Sequence, residues 1–255
     1  MRWVHPAHGP IPPTEFIPLV VQTGLVAKLT RLLLRRSAEA IADLRSAGIE
    51  IPIAVNLTPR DLLDPMLVTD LRSIAADAGI EPRWLEVEIT ENAMVVDFDT
   101  SITVLTELRE LGVAVAIDDF GTGYSSLQHL HRLPVDQLKI DRSFVGRLAD
   151  DESAAAIVLA SINLASDLGL TTVAEGIEDP ETMTVLEQMG CAEVQGFHLS
   201  RPVPLHDLMR WVWQWDPASI LDDRCETLPM SRSSATPRGD QARAVFASAQ
   251  LRNTR

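Results

Sequence analysis

Two adjacent carboxylates, Asp118 and Asp119, follow the apolar run 113–117, whose small and β-branched residues are typical of a buried strand. Gly121 and Gly123 come next and permit a tight loop. An aspartate after a strand is commonly only the N-cap of the next helix, and that role accounts for one of the pair. Two like charges side by side repel each other unless a positive charge lies between them. The pair therefore favours a divalent metal site at the end of a strand, beside the simpler capping interpretation.

The composition limits the kinds of protein that this chain can be. Its 255 residues are 46% hydrophobic and carry a formal net charge of −14, which permits a large core and argues against binding to long nucleic acid. Cys191 and Cys225 lie far apart in the sequence and indicate a reducing compartment. No apolar run approaches the roughly 20 residues of a membrane-spanning helix, and the first residues lack the hydrophobic region of a signal peptide. We therefore expect a soluble, cytoplasmic protein without a membrane segment.

Short β-rich segments alternate with helical ones along most of the chain, and this alternation predicts a parallel sheet covered by helices. Residues 1–13 are rich in proline and are predicted to be loop, and helix is predicted over 15–48 with a break near Gly24. The predicted strands are 53–57, 85–89, 113–117, 137–140, 171–174 and 193–197. The helices predicted between or after them are 64–78, 100–111, 125–130, 153–168, 181–189 and 206–213.

Along these strands, polar residues occur at alternate positions and so lie on one face. In the second strand, for example, Glu86 and Glu88 alternate with apolar residues and so share a face. In a closed barrel, this polar face lines the lumen, whereas in a doubly wound sheet it would be buried under helices. We therefore predict an α/β barrel. The side chains predicted to meet at one mouth of this barrel are Asn56, Glu88, Asp118, Lys139, Glu175 and Gln195.

The domain organisation follows from the same pattern. Six strands are visible, so a barrel of eight requires two more, and we expect these two to precede Met1. Residues 216–255 are rich in Ser, Arg, Asp and Pro, show little periodicity, and are predicted to be a disordered tail. Residues 1–215 are predicted to form one domain.

Several motifs, in order, resemble the EAL domain, the bacterial cyclic-di-GMP phosphodiesterase module. They are residues 55–58 (VNLT), 86–91 (EVEITE), 118–126 (DDFGTGYSS), 138–145 (LKIDRSFV), 173–178 (VAEGIE) and 195–197 (QGF). The resemblance extends from the start of the chain to about Trp211 and is highly specific. It implies a TIM-like (β/α) barrel with an antiparallel first strand. It also implies hydrolysis of cyclic-di-GMP to the linear dinucleotide with a 5′-phosphate.

The resemblance also implies roles for individual residues. Two divalent ions, Mg²⁺ or Mn²⁺, would activate the nucleophile, and Lys139 would orient or activate the attacking water. Glu91 would cap the segment that follows it rather than replace Glu88 as a ligand. The implied metal ligands are Asn56, Glu88, Asp118 and Asp119, the last on the second ion, with Glu175 reaching the metal centre. The implied substrate contacts are Arg2, Asp141 and Gln195, and the residues that support the glycine loop are Gly121, Gly123 and Glu178.

One departure separates this sequence from the family pattern. The glutamate of the Glu-Ala-Leu triplet, a metal ligand, belongs a few residues before the arginine matched by Arg2, which places it before Met1. We therefore expect a cyclic-di-GMP phosphodiesterase domain that lacks its first two strands and is impaired in this chain. The alternative is an inactive module that binds cyclic-di-GMP or a protein. Another metal-dependent barrel, such as an aldolase, is a more distant alternative. The expected partners are cyclic-di-GMP, a second copy in a homodimer, and a sensory or GGDEF domain upstream in a longer gene product.

Overall fold

The computed structural model of the chain describes residues 3–91, 97–122 and 130–215. Within them, an antiparallel hairpin precedes a sheet of six parallel strands. The strands are β1 (Trp3–His5), β2 (Gly9–Ile11), β3 (Ile53–Leu57), β4 (Leu85–Thr90), β5 (Ala114–Phe120), β6 (Gln137–Ile140), β7 (Thr171–Glu175) and β8 (Glu193–Gln195). The helices are α1 (Pro13–Gln22), α2 (Val26–Ser46), α3 (Pro59–Leu62), α4 (Leu67–Asp77), α5 (Phe98–Glu110), α6 (Arg142–Val145), α7 (Glu152–Asp167), α8 (Pro180–Gln188) and α9 (Leu205–Gln214), with a 3₁₀ turn at Pro82–Trp84.

The six parallel strands follow one another in the sheet in their order along the chain, β3 to β8. A doubly wound sheet would reverse its strand order at one point, and this sheet does not. It instead curls into a half-barrel with the helices packed against it. This confirms the predicted α/β barrel class, and each of the six predicted segments contributes a strand to this sheet.

The core lies between the sheet and the helices. Val55, Val87 and Val115 are buried on the apolar face of three adjacent strands, in one cluster with Leu44 of α2 and Leu105 of α5. Because strand side chains alternate, the residues between these valines point to the opposite, concave face. The apolar packing on one face thus fixes the direction of the polar side chains on the other.

Local signals in the sequence set the ends of the helices. Asp97, Asp151 and Asp179 each cap a helix by accepting backbone N–H hydrogen bonds in its first turn. These bonds favour the charged form and lower the pKa of Asp97 and Asp179. At the other end of four helices, a glycine with positive φ follows the last turn, as in a left-handed cap: Gly79, Gly112, Gly169 and Gly190.

The prediction of loop over residues 1–13 was wrong in part. Trp3 pairs with Ile11 and His5 with Gly9 in a short antiparallel hairpin, and the Trp3 ring packs edge-on against Phe16 of α1 at a centroid distance of 5.7 Å. The strands have three residues each and one contains Pro10, so they lack the alternating pattern that marks a strand. Most of the predicted helix 125–130 and the predicted tail 216–255 lie outside the described residues.

Candidate active site at the carboxyl ends of the strands

Polar side chains from the six parallel strands line the concave face of the sheet. The strand register pairs Asn56 with Glu88 and Glu175 with Gln195, so each pair stands at the same height on neighbouring strands. Asp118 lies opposite Thr90, two residues further along β5 than Ala116, which is opposite Glu88. The six residues predicted to share one face of the sheet therefore lie on the same, concave face.

Lys139 occupies the centre of this polar face. Its side chain is 2% exposed, and its Nζ lies 2.5 Å from Oε1 of Glu88, 2.5 Å from Oε1 of Glu175 and 3.6 Å from Oδ1 of Asp118. Burial by itself lowers the pKa of Lys139, but the attraction of the three carboxylates outweighs it and raises that pKa above its ordinary value. Lys139 is therefore an ammonium group at neutral pH, able to donate hydrogen bonds but not to accept a proton.

The carboxylates around Lys139 carry more negative charge than one ammonium can balance. Burial raises the pKa of Glu88 to about 7, opposed by Lys139 and reinforced by Asp118. Burial and the neighbouring Glu88 raise the pKa of Glu86 to about 7 as well. The pKa of Glu175 is also raised, mainly by burial. Several carboxyl groups that resist ionisation in one place are typical of a site that binds a cation or a proton.

The donor groups at this site suit a hard divalent cation. Asn56 contributes an amide whose Nδ2 donates a 3.0 Å hydrogen bond to Oε2 of Glu88, which leaves the amide oxygen as the remaining acceptor of that side chain. Oxygen donors of this kind are the preferred ligands of Mg²⁺ and Mn²⁺. Among residues 3–91, 97–122 and 130–215, no three acidic, histidine or cysteine side chains are grouped closely enough to hold an ion by themselves. The fit to a metal thus rests on the chemistry of the donor set.

Asp119 has an unusual backbone conformation. Its φ is +55°, and it is the non-glycine residue with positive φ in the part of the chain that the structure describes. Its N–H donates to Oδ1 of Asp118 at 3.1 Å, and its carboxyl group interacts with that of Asp141, which raises the pKa of Asp119 and lowers that of Asp141. Burial and the charge of Asp118 raise the pKa of Asp119 to about 6. The left-handed backbone turns Asp119 toward Asp141, whereas Asp118 lies near Lys139, so the two adjacent aspartates have different neighbours.

Comparison with known proteins identifies the family. Residues 1–202 match the family model of the EAL domain. The chain belongs to the EAL domain family.

Several known proteins resemble this chain over most of its described length. The bifunctional diguanylate cyclase/cyclic di-GMP phosphodiesterase MucR of Pseudomonas aeruginosa is 40% identical over 82% of this chain and 31% of its own length. The cyclic di-GMP phosphodiesterase NbdA of the same organism is 42% identical over 80% of this chain and 26% of its own length. A solved structure of the MucR phosphodiesterase in complex with c-di-GMP superposes with a TM-score of 0.78 at 41% identity, covering 81% of this chain and 84% of that one. The chain thus spans about a third or less of the length of these curated relatives.

Of the three residues predicted to contact the substrate, the structure describes Asp141 and Gln195 but not Arg2. Asp141 lies at the start of α6, where its side chain accepts a 2.9 Å hydrogen bond from the Ser143 N–H, and it contacts Asp119 as described above. Gln195 is half-buried at the end of β8, beside Glu175. Arg2 lies outside the described residues, so its predicted contact with a ligand phosphate stays a prediction.

The glycine loop of the EAL domain is described only at its beginning. Gly121 has a φ of +96°, and its N–H donates a 3.4 Å hydrogen bond to Oε2 of Glu91. Glu91 was predicted to cap the segment after β4, and this contact with the loop after β5 was missed; nothing in the sequence pairs residues so far apart. Glu178 is exposed, and its predicted support of the loop stays a prediction because residues 123–129, including Gly123, lie outside the described residues.

Proposed function

We propose that this EAL domain hydrolyses one phosphodiester bond of cyclic-di-GMP and releases the linear dinucleotide. The observation that carries the proposal is the buried ammonium of Lys139 among Glu88, Glu175 and Asp118, with the amide of Asn56 attached to the same group of carboxylates. The solved structure of the similar MucR phosphodiesterase contains c-di-GMP, which supports this choice of substrate.

The proposal gives each residue a task. Asn56, Glu88, Asp118 and Asp119 would hold two Mg²⁺ or Mn²⁺ ions. Such ions, when bound, supply a nucleophilic water at neutral pH and neutralise charge on the phosphate. Lys139, whose Nζ lies among these carboxylates, would orient or activate the attacking water. Glu175 fixes the direction of the Lys139 side chain through its 2.5 Å contact.

The substrate would be held at the rim of the half-barrel. Arg2, Asp141 and Gln195 are proposed to contact the nucleotide, and Gly121, Gly123 and Glu178 to shape the loop beside it. We also propose a homodimer and a cytoplasmic location. A sensory or GGDEF domain in the same polypeptide is part of the proposal, because MucR, which this chain matches over 31% of its length, is bifunctional. Within the described residues, no helix is long and apolar enough to cross a membrane.

A second candidate function is binding of cyclic-di-GMP without hydrolysis. The observation in its favour is that, within the described residues, no three acidic, histidine or cysteine side chains are grouped closely enough to hold an ion by themselves. A site with fewer anionic ligands binds divalent ions more weakly. We give this candidate second place because Asn56, Glu88 and both aspartates are all present.

One experiment separates the two candidates. The chain is incubated with cyclic-di-GMP and Mn²⁺ or Mg²⁺, the linear product is quantified by chromatography, and binding of the nucleotide is measured by calorimetry with Ca²⁺ in place of these ions. Turnover that is lost in Asp118→Asn and kept in the exposed control Asp77→Asn supports hydrolysis. Binding without turnover in the native chain supports the second candidate. A chain that neither binds nor hydrolyses the nucleotide would refute both.

A further inference from the structure

Three glycines that follow strands of the sheet, Gly121, Gly176 and Gly196, are in close contact with neighbouring parts of the chain. A Cβ added to Gly196 would lie 2.1 Å from the carbonyl oxygen and 2.3 Å from the nitrogen of Ile177. A Cβ added to Gly176 would lie 2.4 Å from Cβ of Arg142, and one added to Gly121 would lie 3.0 Å from the Phe144 ring. Five glycines that follow helices show the contrast, because nothing lies within 4 Å of an added Cβ at Gly24, Gly48, Gly79, Gly169 or Gly190. Gly146, after α6, is an exception, with the carbonyl oxygen of Arg142 at 3.1 Å.

The closest of these contacts joins the loops after β7 and β8. The N–H of Ile177 donates a 3.1 Å hydrogen bond to the carbonyl of Gln195, and the carbonyl of Ile177 accepts a 3.0 Å hydrogen bond from the N–H of His198. The chain passes this close to Ile177 only because Gly196, between the two partners, has no side chain. Ile177 itself is fully buried. We call Ile177 with residues 195–198 the β7–β8 clasp.

The clasp lies directly beside two residues of the polar face. Glu175 is two residues before Ile177, with Gly176 between them, and Gln195 is itself a member of the clasp. Oε1 of Glu175 lies 2.5 Å from Nζ of Lys139. Any shift of the loop after β7 therefore moves a carboxylate that holds the central ammonium.

We propose that the β7–β8 clasp is a positioning device, in which the contact of Gly196 with the Ile177 backbone holds Glu175 and Gln195 in place around Lys139. Gly196 and Ile177 are positioning residues, since neither presents a polar side chain to the site. The part of the inference that concerns catalysis rests on the proposed function; the part that concerns the geometry around Lys139 does not.

The backbone conformation of Gly196 makes the test specific. Gly176 and Gly121 have φ of +76° and +96°, so alanine there would combine a clash with backbone strain, whereas Gly196 is not among the residues with positive φ. Gly196→Ala therefore tests close approach alone. Gly190→Ala is the matched control, because Gly190 has a φ of +81° and nothing within 4 Å of its added Cβ. The control carries backbone strain without a close contact.

The chain contains two lysines, Lys28 and Lys139, and this gives a readout that needs neither metal nor substrate. Lys28 is exposed and Lys139 is 2% exposed. The native chain and the two variants are treated with an amine-acylating reagent. The rate of acylation of Lys139 is measured by mass spectrometry, with Lys28 as the internal standard. We expect Lys139 to be protected in the native chain and in Gly190→Ala, and to lose that protection in Gly196→Ala. Equal protection of Lys139 in all three proteins would overturn the proposal.

A measurement on the native chain covers the case in which Gly196→Ala does not fold. Hydrogen exchange at the amides of Ile177 and His198 is followed in increasing urea, together with acylation of Lys139. We expect the protection of both amides and of Lys139 to disappear at the same urea concentration. Acylation of Lys139 while the two amides stay protected, or the reverse order, would show that the clasp does not hold the site.

Measurements of turnover then distinguish a loss of positioning in the site from a general loss of stability. With the folded fraction equalised, we expect kcat for cyclic-di-GMP to fall by up to about 100-fold in Gly196→Ala, the loss that a displacement of about 1 Å can cause. We expect kcat to be unchanged in Gly190→Ala. A kcat equal to that of the native chain would overturn the catalytic part of the inference. A native chain without turnover would refute the proposed phosphodiesterase instead, and the acylation result would still decide the geometric part.

Discussion

Lys139 on β6 reaches across β5 to place its Nζ 2.5 Å from Oε1 of Glu88 on β4. The residue opposite Glu88 on the intervening strand is Ala116, whose small side chain leaves the path open. The two charges are almost completely buried, so each depends on the other for compensation. This cross-strand pair, together with Glu175, holds the centre of the polar face.

Removing the ammonium should therefore cost more than an ordinary side-chain deletion. We expect Lys139→Met to lower the free energy of unfolding by about 3 to 5 kcal/mol at pH 7 in the presence of a chelator, because buried carboxylates are left without a counter-charge. The exposed control Lys28→Met should change it by less than about 0.5 kcal/mol. Urea denaturation measures both. Equal stability of the two variants would show that the carboxylates do not depend on Lys139.

The pH dependence of stability should reveal the crowded carboxyl groups. Burial, with Glu88 next in effect, raises the pKa of Glu86 to about 7, whereas a glutamate in an unfolded chain titrates near about 4.3. The folded state thus holds a proton that the unfolded state has already lost. The stability it contributes is complete below about pH 4 and is lost as the pH rises through 7.

The variant Glu86→Gln removes this titration. With divalent ions chelated, we expect it to be more stable than the native chain at pH 8 and to show a smaller advantage at pH 5. Thermal unfolding at the two pH values provides the measurement, and the exposed Glu110→Gln serves as the control. A native chain whose stability rises from pH 5 to pH 8 in parallel with that of Glu86→Gln would contradict the assignment.

A third prediction concerns a residue that supports the fold and not the site. Oδ1 of Asp136 accepts hydrogen bonds of 2.7 Å and 3.1 Å from Arg109, and its Oδ2 accepts one of 3.0 Å from the N–H of Val115. Asp136→Ala leaves the β5 N–H without a partner and should destabilise the domain by about 1 to 3 kcal/mol. Asp136→Asn keeps one acceptor oxygen and should lose less. Turnover per folded molecule should be unchanged in both; a selective loss of kcat would mean that Asp136 also acts on the site.

Much of this architecture could be predicted from the sequence, for a simple reason. Strand periodicity reports directly which side chains share a face, so Asn56, Glu88, Asp118, Lys139 and Glu175 were assigned to one face without knowledge of the fold. Glycines that follow helices with positive φ, such as Gly79 and Gly169, are a similar signal for helix ends. In both cases the signal is local, and packing agrees with it.

The features that were missed depend on contacts between distant residues or on weak local signals. Nothing in the sequence shows that Lys139 crosses β5 to Glu88, or that Glu91 meets Gly121. The hairpin Trp3–His5 with Gly9–Ile11 was missed because three-residue strands are too short to show a period. Gly196 indicates a turn, but only the structure shows that the Ile177 backbone fills the space where its side chain would be.

The last prediction compares how Asp118 and Asp119, two adjacent residues, affect the stability of the fold and the binding of metal. Asp119 has a φ of +55°, a conformation that Asn tolerates well among non-glycine residues. Its pKa is raised to about 6 by burial and by Asp118, so its charge is unfavourable in the metal-free fold. Asp119→Asn keeps the shape, removes that charge and can donate a hydrogen bond to Asp141. In chelator, this variant should melt at or above the temperature of the native chain.

Asp118→Asn is the matched comparison. Oδ1 of Asp118 lies 3.6 Å from Nζ of Lys139, so this substitution removes part of an ion pair and should not raise the melting temperature. If both aspartates bind metal, saturating Mn²⁺ at about 100 times the dissociation constant should raise the melting temperature of the native chain by about 5 to 10 °C and that of either variant by much less. Differential scanning fluorimetry with and without Mn²⁺ gives all six values. A full Mn²⁺ shift in Asp119→Asn would remove that residue from the ligand set, and a lower melting temperature in chelator would show that its carboxylate stabilises the fold instead.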